Sequence, residues 1–345
     1  MSKKMIQQVM TKPKEILFRN IDKPEPRKGE VLIKVCRIGI CGTDIHVYHG
    51  THPFTSYPIT QGHEVSGVIE ALGEGVDEKF KVGQLVTFEP QVFCGKCYPC
   101  THGKYNLCED LKVMGFQAPG AASEYFAVDQ SKVVVLPEGM SPDEGAMIEP
   151  LAVAVHAANR CEMGGATVVI LGAGPIGILV CQACKAAGAA KVMMTDVSDQ
   201  RLALAKSVGA DYVANTTKVD FNEALIDCFG PDKCDYYYDC AGNDTTINQA
   251  IRCARKGSKI ILVAVFAKMA TVDLAVLNDH ELDLDTTMMY RHEDYVDAIR
   301  WVSEGKIQLK PLMTKHFAFA DYLKSYEYID ANRETTMKVI VNVQD

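Results

Sequence analysis

The 345-residue sequence has no long apolar run and no surplus of basic charge. No stretch reaches the ~18 consecutive apolar residues that a membrane span needs, so we expect no membrane association. The net charge is −8, which argues against a protein that coats nucleic acid. The basic N-terminus carries neither the apolar segment nor the cleavage site of a signal peptide. We therefore expect a soluble, cytoplasmic protein.

Internal repeats and low-complexity tracts are absent as well, and the composition is that of a globular protein, with 48% apolar and 23% charged residues. At about 100–200 residues for each domain, the length predicts two domains. Thirteen cysteines are many for this length. Because no secretory signal accompanies them, they favour metal binding or simple burial over a disulfide scaffold.

The sequence has two regions with different patterns of predicted strands and helices. From residue 14 to about residue 127, short strands such as Glu30–Ile40 alternate with Gly/Pro turns, which is typical of a partly closed β-barrel. After about residue 149, strands and helices alternate, which predicts a doubly wound parallel sheet. The terminal MKVIVNV is a strand that could rejoin the first unit. We predict an α/β protein with a β unit at 1–155 and about 296–345, and a parallel-sheet unit at 156–295.

The motif GAGPIG lies between a predicted strand and a predicted helix, the context in which this pattern binds a dinucleotide. Gly172 allows the tight turn, Gly174 lets the backbone approach a pyrophosphate, and Gly177 lets the helix pack on the sheet. Pro175 and Ile176 complete the motif in the first helical turn, whose free N–H groups suit an anion.

Asp196 ends the next predicted strand, nineteen residues after Gly177. A carboxylate at this point can accept both ribose hydroxyls and repels a 2′-phosphate, which favours NAD over NADP. Arg201, in the following helix, is the counter-argument and a further candidate cofactor contact. That Asp196 only caps the next helix is an open alternative.

Four cysteines fall within a turn-rich segment at about 90–110, with the spacing C-x2-C-x2-C-x7-C. Four thiolates can close a tetrahedral shell around zinc with no open position, which predicts a structural site. The segment has little apolar content, so the metal would stabilise it. An iron–sulfur cluster is the alternative. The four residues are Cys94, Cys97, Cys100 and Cys108.

A second group of polar residues begins just after an apolar strand and continues in the motifs GHE and IEPL. One thiolate, one imidazole and one carboxylate suit a catalytic zinc with an open position. Part of the group lies at the boundary between the two predicted regions, where a ligand cleft is expected. Its members are Cys41, Thr43, Asp44, His46, His63, Glu64 and Glu149.

These motifs, in the order CGTD, GHE, four cysteines, EPL and GAGPIG, resemble those of the zinc-dependent medium-chain alcohol dehydrogenases over essentially the whole chain. IEPL followed by His156 looks most like the sorbitol/L-iditol and threonine dehydrogenase branch, and THPFTSYPITQGHE also looks like relatives acting on sugar acids such as L-galactonate. The resemblance implies a GroES-like catalytic domain and a Rossmann domain, with the active site in the cleft between them.

The resemblance also implies roles for the metal-site residues. Cys41 and His63 match the catalytic zinc ligands, and Glu64 matches the third ligand of polyol-type members. Glu149 matches the acidic residue that approaches the metal or holds its water. Asp44 matches a partner that orients a ligand.

Further matched residues concern the substrate. Thr43 and His46 match the relay that carries the substrate proton to solvent. Arg291 lies where polyol dehydrogenases have a substrate-contacting arginine. His292 follows it, where sorbitol enzymes are expected to carry tyrosine, and this difference argues against sorbitol itself.

The expected activity is hydride transfer from a secondary alcohol of a polyol or sugar acid to NAD, giving the ketone. The family further implies two Zn²⁺ for each chain and a homodimer or homotetramer. L-threonine 3-dehydrogenase and 2,3-butanediol dehydrogenase remain open alternatives. Two alternatives come from other classes: a non-catalytic NAD-binding regulator, and a nucleic-acid-binding zinc module, against which the acidic charge argues.

Overall fold

The computed structural model describes residues 3–266 and 268–345. These residues form two compact units, one up to Glu149 together with Leu312–Asp345, the other Pro150–Pro311. The elements up to residue 149 are strands β1 (Lys4–Lys12), β2 (Glu15–Asp22), β3 (Glu30–Ile40), β4 (Glu64–Leu72), β5 (Leu85–Phe88), β6 (Gln91–Val92), β7 (Lys112–Val113), β8 (Tyr125–Asp129) and β9 (Val133–Val135), and helices α1 (Gly42–Tyr48), α2 (Tyr98–Thr101) and α3 (Pro142–Ala146).

The rest of the chain first alternates strands and helices and then returns to the first unit. The second unit contains α4 (Ile148–Ala158, which starts in the first unit), β10 (Thr167–Leu171), α5 (Pro175–Ala186), β11 (Lys191–Asp196), α6 (Asp199–Ser207), β12 (Tyr212–Asn215), α7 (Phe221–Phe229), β13 (Tyr236–Asp239), α8 (Asp244–Cys253), β14 (Lys259–Leu262), α9 (Leu274–Asp279), β15 (Asp283–Thr286) and α10 (His292–Ser303). The returning segment forms β16 (Met313–Ala318), α11 (Tyr322–Ala331) and β17 (Lys338–Asn342).

The first unit is built on a largely antiparallel sheet with the order β16-β17-β3-β4-β5-β9, and β8 also pairs with β3. The long strand β3 is buried at all positions except the charged Glu30, Lys34 and Arg37, because neighbouring strands and packed side chains cover it. β17 pairs antiparallel with β3, with Val339 opposite Ile40. The C-terminal strand thus pairs within the sheet of the first unit.

The second unit is a parallel sheet with the order β12-β11-β10-β13-β14-β15. This is the doubly wound order in which the chain starts centrally, builds one half and then crosses to the other. β10 is fully buried from Val168 to Leu171, as its run of β-branched residues predicts. The predicted fold class of this unit is confirmed.

The limits of the compact units differ from the predicted boundaries. The second unit begins at Pro150 and ends at Pro311, so α10 belongs to it. Asp294 and Tyr295 of this helix are fully buried, and Asp294 accepts hydrogen bonds from Asn159 and His156 on or next to α4. None of the helices in the described part of the chain has the length and hydropathy needed to cross a bilayer.

Candidate active site

Three side chains with metal-binding chemistry meet where β3 ends and β4 begins. The ligand atoms of Cys41, His63 and Glu64 all lie within 4.8 Å of one another. Cys41 follows β3 and caps helix α1, while Glu64 is the first residue of β4. Gly39 lies opposite Glu64 in the sheet, and a Cβ at Gly39 would stand 2.2 Å from the Glu64 carboxylate. The missing side chain therefore makes room for the acid.

Asp44, in the first turn of α1, orients these three side chains. Its Oδ2 accepts a hydrogen bond of 2.9 Å from the Cys41 amide, and its Oδ1 lies 3.8 Å from Nδ1 of His63. Burial alone would lower the pKa of His63, but the neighbouring Asp44 and Cys41 outweigh burial and raise it to about 10. Nδ1 of His63 is buried and has no hydrogen-bond partner within the described part of the chain. A thiol, an imidazole and acids in one negative environment fit a zinc ion.

The sequence did not reveal the partner of Glu64. Nζ of Lys338, on β17, donates to both carboxylate oxygens of Glu64 at 2.6 and 2.7 Å and lies 3.4 Å from the Ile40 carbonyl. Both side chains are almost completely buried. Burial opposes the charge of Lys338, but Glu64 outweighs it and raises the lysine pKa. A single lysine at the start of the apolar run VIV was the signal available in the sequence.

The other candidate residues of the first unit differ in how exposed they are. Glu149 is buried in the first turn of α4, and its charge contributes to the raised pKa of His63 and of Lys338. Thr43 is half-buried and His46 is exposed on α1, three residues apart and hence on one helix face. His46 Nδ1 lies 3.4 Å from the Thr51 hydroxyl.

The four-cysteine segment brings its sulfur atoms together. The sulfurs of Cys94, Cys97, Cys100 and Cys108 lie within 4.8 Å of one another, and none forms a disulfide. Backbone N–H groups of Lys96 and Cys97 donate to Cys94 and lower its pKa to about 6, which favours the thiolate that binds metal. The arrangement fits a four-thiolate zinc site.

The glycine motif closes the turn between β10 and α5. Gly172 has φ +102°, a left-handed conformation that favours glycine. A Cβ at Gly177 would lie 1.9 Å from the Gly172 carbonyl, whereas a Cβ at Gly174 would meet nothing within 4 Å. Gly177 thus serves close packing, and Gly174 faces open space that a ligand can use. Pro175 and Ile176 are half-buried in the first turn of α5.

Asp196 ends β11 beside this turn. Its Oδ2 accepts from the Ala173 amide at 2.7 Å and its Oδ1 from the Ser198 amide at 2.9 Å. The residue that caps α6 is Ser198, which accepts from the Arg201 amide. The alternative that Asp196 caps this helix is therefore wrong, because the strand ends two residues before the cap.

Arg291 lies in the second unit, at the N-cap of α10. Its amide donates to Asp294, which also binds His156 at 2.8 Å. The guanidinium is about one-third exposed, with a contact of 3.3 Å to Glu293. Its Nε is buried without a hydrogen-bond partner among the described residues.

Comparisons with known proteins decide the family. Residues 27–138 match the family model described as alcohol dehydrogenase GroES-like domain, and residues 175–304 match the model described as zinc-binding dehydrogenase. The chain belongs to the zinc-binding alcohol dehydrogenases. The resemblance found in the sequence is confirmed, including the GroES-like and Rossmann architecture, and this zinc-binding alcohol dehydrogenase is an NAD-dependent oxidoreductase.

Individual relatives of this alcohol dehydrogenase act on several alcohols. It is 32% identical to a sorbitol dehydrogenase of Bacillus subtilis, covering 96% of both chains, and 35% identical to a 2-dehydro-3-deoxy-L-galactonate 5-dehydrogenase of Pseudoalteromonas atlantica, covering 92% of both. L-threonine 3-dehydrogenases of Pyrococcus species also match. A solved Escherichia coli alcohol dehydrogenase complexed with NADH has a TM-score of 0.91 at 31% identity, and the match covers 99% of both chains.

Proposed function

We propose that this dehydrogenase oxidises a secondary alcohol of a polyol or sugar acid with NAD and releases the ketone. The observation that carries the proposal is the pair of buried carboxylates, Glu64 and Glu149, that accompany Cys41 and His63. Two acids make the metal site polar, which suits a substrate with vicinal hydroxyls. Arg291 in the second unit is a further proposed substrate contact, since its Nε is buried and no described residue accepts a hydrogen bond from it.

Cys41 and His63 are the proposed ligands of the catalytic zinc, with an acid or water completing the shell. Zinc held by these residues would supply a Lewis acid that lowers the pKa of the substrate hydroxyl, so that the proton would leave near neutral pH. Asp44 holds the Cys41 amide and keeps the ligand turn in place. Glu149 is buried nearby and is suited to hold water or a neighbouring substrate hydroxyl.

Thr43 and His46 form the proposed route for the proton. The half-buried Thr43 hydroxyl accepts the hydrogen bond of the substrate hydroxyl, and the exposed His46 ring on the same helix face passes the proton to solvent. The oxidation balances when the proton leaves by this route and the carbinol carbon gives up its hydride.

The glycine turn and Asp196 form the proposed cofactor site. These residues would hold NAD, whose nicotinamide ring would supply the hydride acceptor. The first-turn amides of α5 would bind the pyrophosphate, and Asp196, which accepts from the Ala173 and Ser198 amides, would offer its remaining lone pairs to the ribose hydroxyls and would repel a 2′-phosphate. Arg201 on α6 is a further proposed contact.

The proposal is tested with zinc-loaded protein, NAD and a panel of polyols, sugar acids, L-threonine and 2,3-butanediol, by following NADH absorbance. We expect a signal with a polyol or sugar acid that is lost in the Cys41→Ala variant, while that variant still binds NAD. A signal only with L-threonine or 2,3-butanediol would transfer the proposal to the second candidate, which the threonine-type relatives favour. NAD binding without any turnover would favour a non-catalytic regulator.

We further propose that the protein assembles as a homodimer or homotetramer through the second unit. β15 is an edge strand of the parallel sheet, paired on one side with β14. Exposed apolar side chains lie on β15 and in neighbouring segments of the chain: Leu284 on the strand, Met288 just after it, and Val265 and Met269 between β14 and α9. Edge strands with exposed apolar neighbours favour pairing with another chain.

A further inference from the structure

A chain of buried hydrogen bonds connects the C-terminal helix α11 with the candidate metal ligands. The Tyr326 hydroxyl donates to Oε1 of Gln61 at 2.6 Å, and Nε2 of Gln61 donates to Oδ1 of Asp44 at 3.0 Å. These three side chains are at most 1% exposed. Such a network is costly to bury unless each group finds its partner, and here it is built from residues far apart in sequence.

The direction of this network fixes how Asp44 is held. Because the Tyr326 hydroxyl donates to the Gln61 carbonyl oxygen, the Gln61 amide nitrogen must face Asp44, where it donates to a carboxylate. The second oxygen of Asp44 is then left for the Cys41 amide at 2.9 Å. The first oxygen also lies 3.8 Å from His63. Asp44 therefore relates the positions of both candidate ligands.

The backbone around Gln61 is held independently of this network. The Ala122 amide donates to the Gln61 carbonyl at 2.8 Å, and the Ala121 amide donates to the Gly62 carbonyl at 2.9 Å. Gly62 has φ +94°, and a Cβ there would lie 2.9 Å from the Ala122 nitrogen. Loss of the Tyr326 hydroxyl would thus act on the orientation of side chains, with the loop itself kept in place.

We propose that Tyr326 is a positioning residue for the metal site, acting through Gln61 and Asp44 on Cys41 and His63. The proposal rests on Cys41 and His63 as metal ligands and is independent of which alcohol the enzyme oxidises. It gives α11 a role beyond closing the core of the first unit, since this helix fixes the amide that orients Asp44.

The test removes the hydroxyl alone with Tyr326→Phe, which keeps the ring stacked on Tyr48 at 4.9 Å. Metal-free full-length protein is titrated with Co²⁺, and the visible bands separate a one-thiolate site from the four-thiolate site. We expect the one-thiolate site to bind cobalt about tenfold more weakly, with shifted bands, in line with the effect of groups that orient metal ligands. Binding at the four-thiolate site is the internal control and should be unchanged.

Tyr322→Phe is the matched control variant. Tyr322 is also fully buried on α11, its ring centroid lies 5.8 Å from that of Tyr326, and among the described residues its hydroxyl forms no hydrogen bond to Gln61 or Asp44. We expect cobalt affinity and bands like those of the wild type. Equal weakening in both variants, or no weakening in Tyr326→Phe, would overturn the proposal and leave a structural role in packing.

Gln61→Met tests the chain of contacts itself. This substitution breaks both links, so adding Tyr326→Phe should cause no further loss of cobalt affinity. Additive losses would contradict action through Gln61. If Gln61→Met does not fold, the comparison of Tyr326→Phe with Tyr322→Phe decides alone. A wild-type protein without any one-thiolate cobalt band would instead refute the proposed ligand set, separately from the role of Tyr326.

Discussion

At the scale of single residues, Lys338 and Glu64 form a buried ion pair beside the candidate metal ligands. The lysine donates to both carboxylate oxygens, and both groups are shielded from water. Removing one member leaves an uncompensated buried charge, whereas removing both leaves none. The pair therefore links the C-terminal strand to the metal site by charge.

We predict that Lys338→Met destabilises the fold by about 3–5 kcal/mol, because Glu64 is left buried and unpaired. The double variant Lys338→Met with Glu64→Gln should recover most of this loss. Denaturant unfolding of protein stripped of metal with EDTA measures both, so that changes in metal binding do not enter. A double variant as unstable as Lys338→Met would mean that packing of the lysine chain, not charge, is what matters.

We predict that the preference for NAD over NADP depends on Asp196. Asp196→Asn removes the charge that would hold the ribose hydroxyls and repel a phosphate, and loss of charge-assisted hydrogen bonds of about 1.5–3 kcal/mol corresponds to roughly 10–100-fold. We expect kcat/KM for NAD to fall by this order and the preference over NADP to shrink, as steady-state kinetics with both cofactors would reveal.

The control for this prediction is Asp199→Asn. Asp199 lies at the start of α6, is exposed, and binds Asn215 and Lys218 rather than the glycine turn. Its replacement should leave the ratio between the two cofactors unchanged. A similar change of preference in both variants would point to the net charge of this region and not to Asp196.

At the scale of helices and strands, the sequence pattern predicted those strands whose apolar residues form a regular buried run. The predicted strand Glu30–Ile40 matches β3 at both ends, and Asp196 ends β11 as predicted, since apolar runs next to turn residues mark these limits. The hairpin of β1 and β2 was missed. Much of β2 is exposed and polar residues interrupt β1, so the alternation is weak.

The side-chain pairs that the sequence did not predict are contacts between distant parts of the chain. Motifs located Cys41, His63 and the glycine turn because each lies within a short, chemically distinct segment. The pairing of Lys338 with Glu64, and of Tyr326 with Gln61, joins residues 274 and 265 positions apart. Such partners depend on how β17 and α11 return to the first unit, which no local pattern encodes.

The four-cysteine segment is the element whose order depends most on a metal. Between Cys94 and Asp110 only Asn106 and Cys108 are buried, so little apolar packing is available to stabilise it. We predict that Cys100→Ser loses one equivalent of zinc and exposes this segment to proteolysis. Metal analysis together with limited trypsin digestion and mass spectrometry measures both effects.

Cys228→Ser is the control, because Cys228 lies on α7 in the second unit and is half-buried without a cysteine cluster around it. It should retain full zinc content and the wild-type digestion pattern. If Cys100→Ser also kept its zinc, the four sulfurs would not act as a closed metal shell.

At the scale of the whole molecule, the edge strand β15 of the parallel sheet is a candidate surface for pairing with a second copy of the chain. Val265 and Met269, in the segment that follows β14, are 92% and 95% exposed, and such exposed apolar surface is unfavourable in water. A second copy could cover it by pairing edge to edge about a two-fold axis, which places the same surface of both chains in contact. The apolar loop and the unpaired strand then become one interface.

We predict that the double variant Val265→Glu with Met269→Glu shifts the protein from an oligomer towards monomers, since the pairing would bury four carboxylates against each other across the two-fold axis. Light scattering coupled to size exclusion gives the mass directly. Val82→Glu is the control: Val82 is 64% exposed in a turn of the first unit, so the added charge should not alter the mass. If the double variant kept the wild-type mass while Val213→Glu on the opposite edge strand β12 lowered it, the contact would lie at β12, and the exposed residues near β15 would need another explanation.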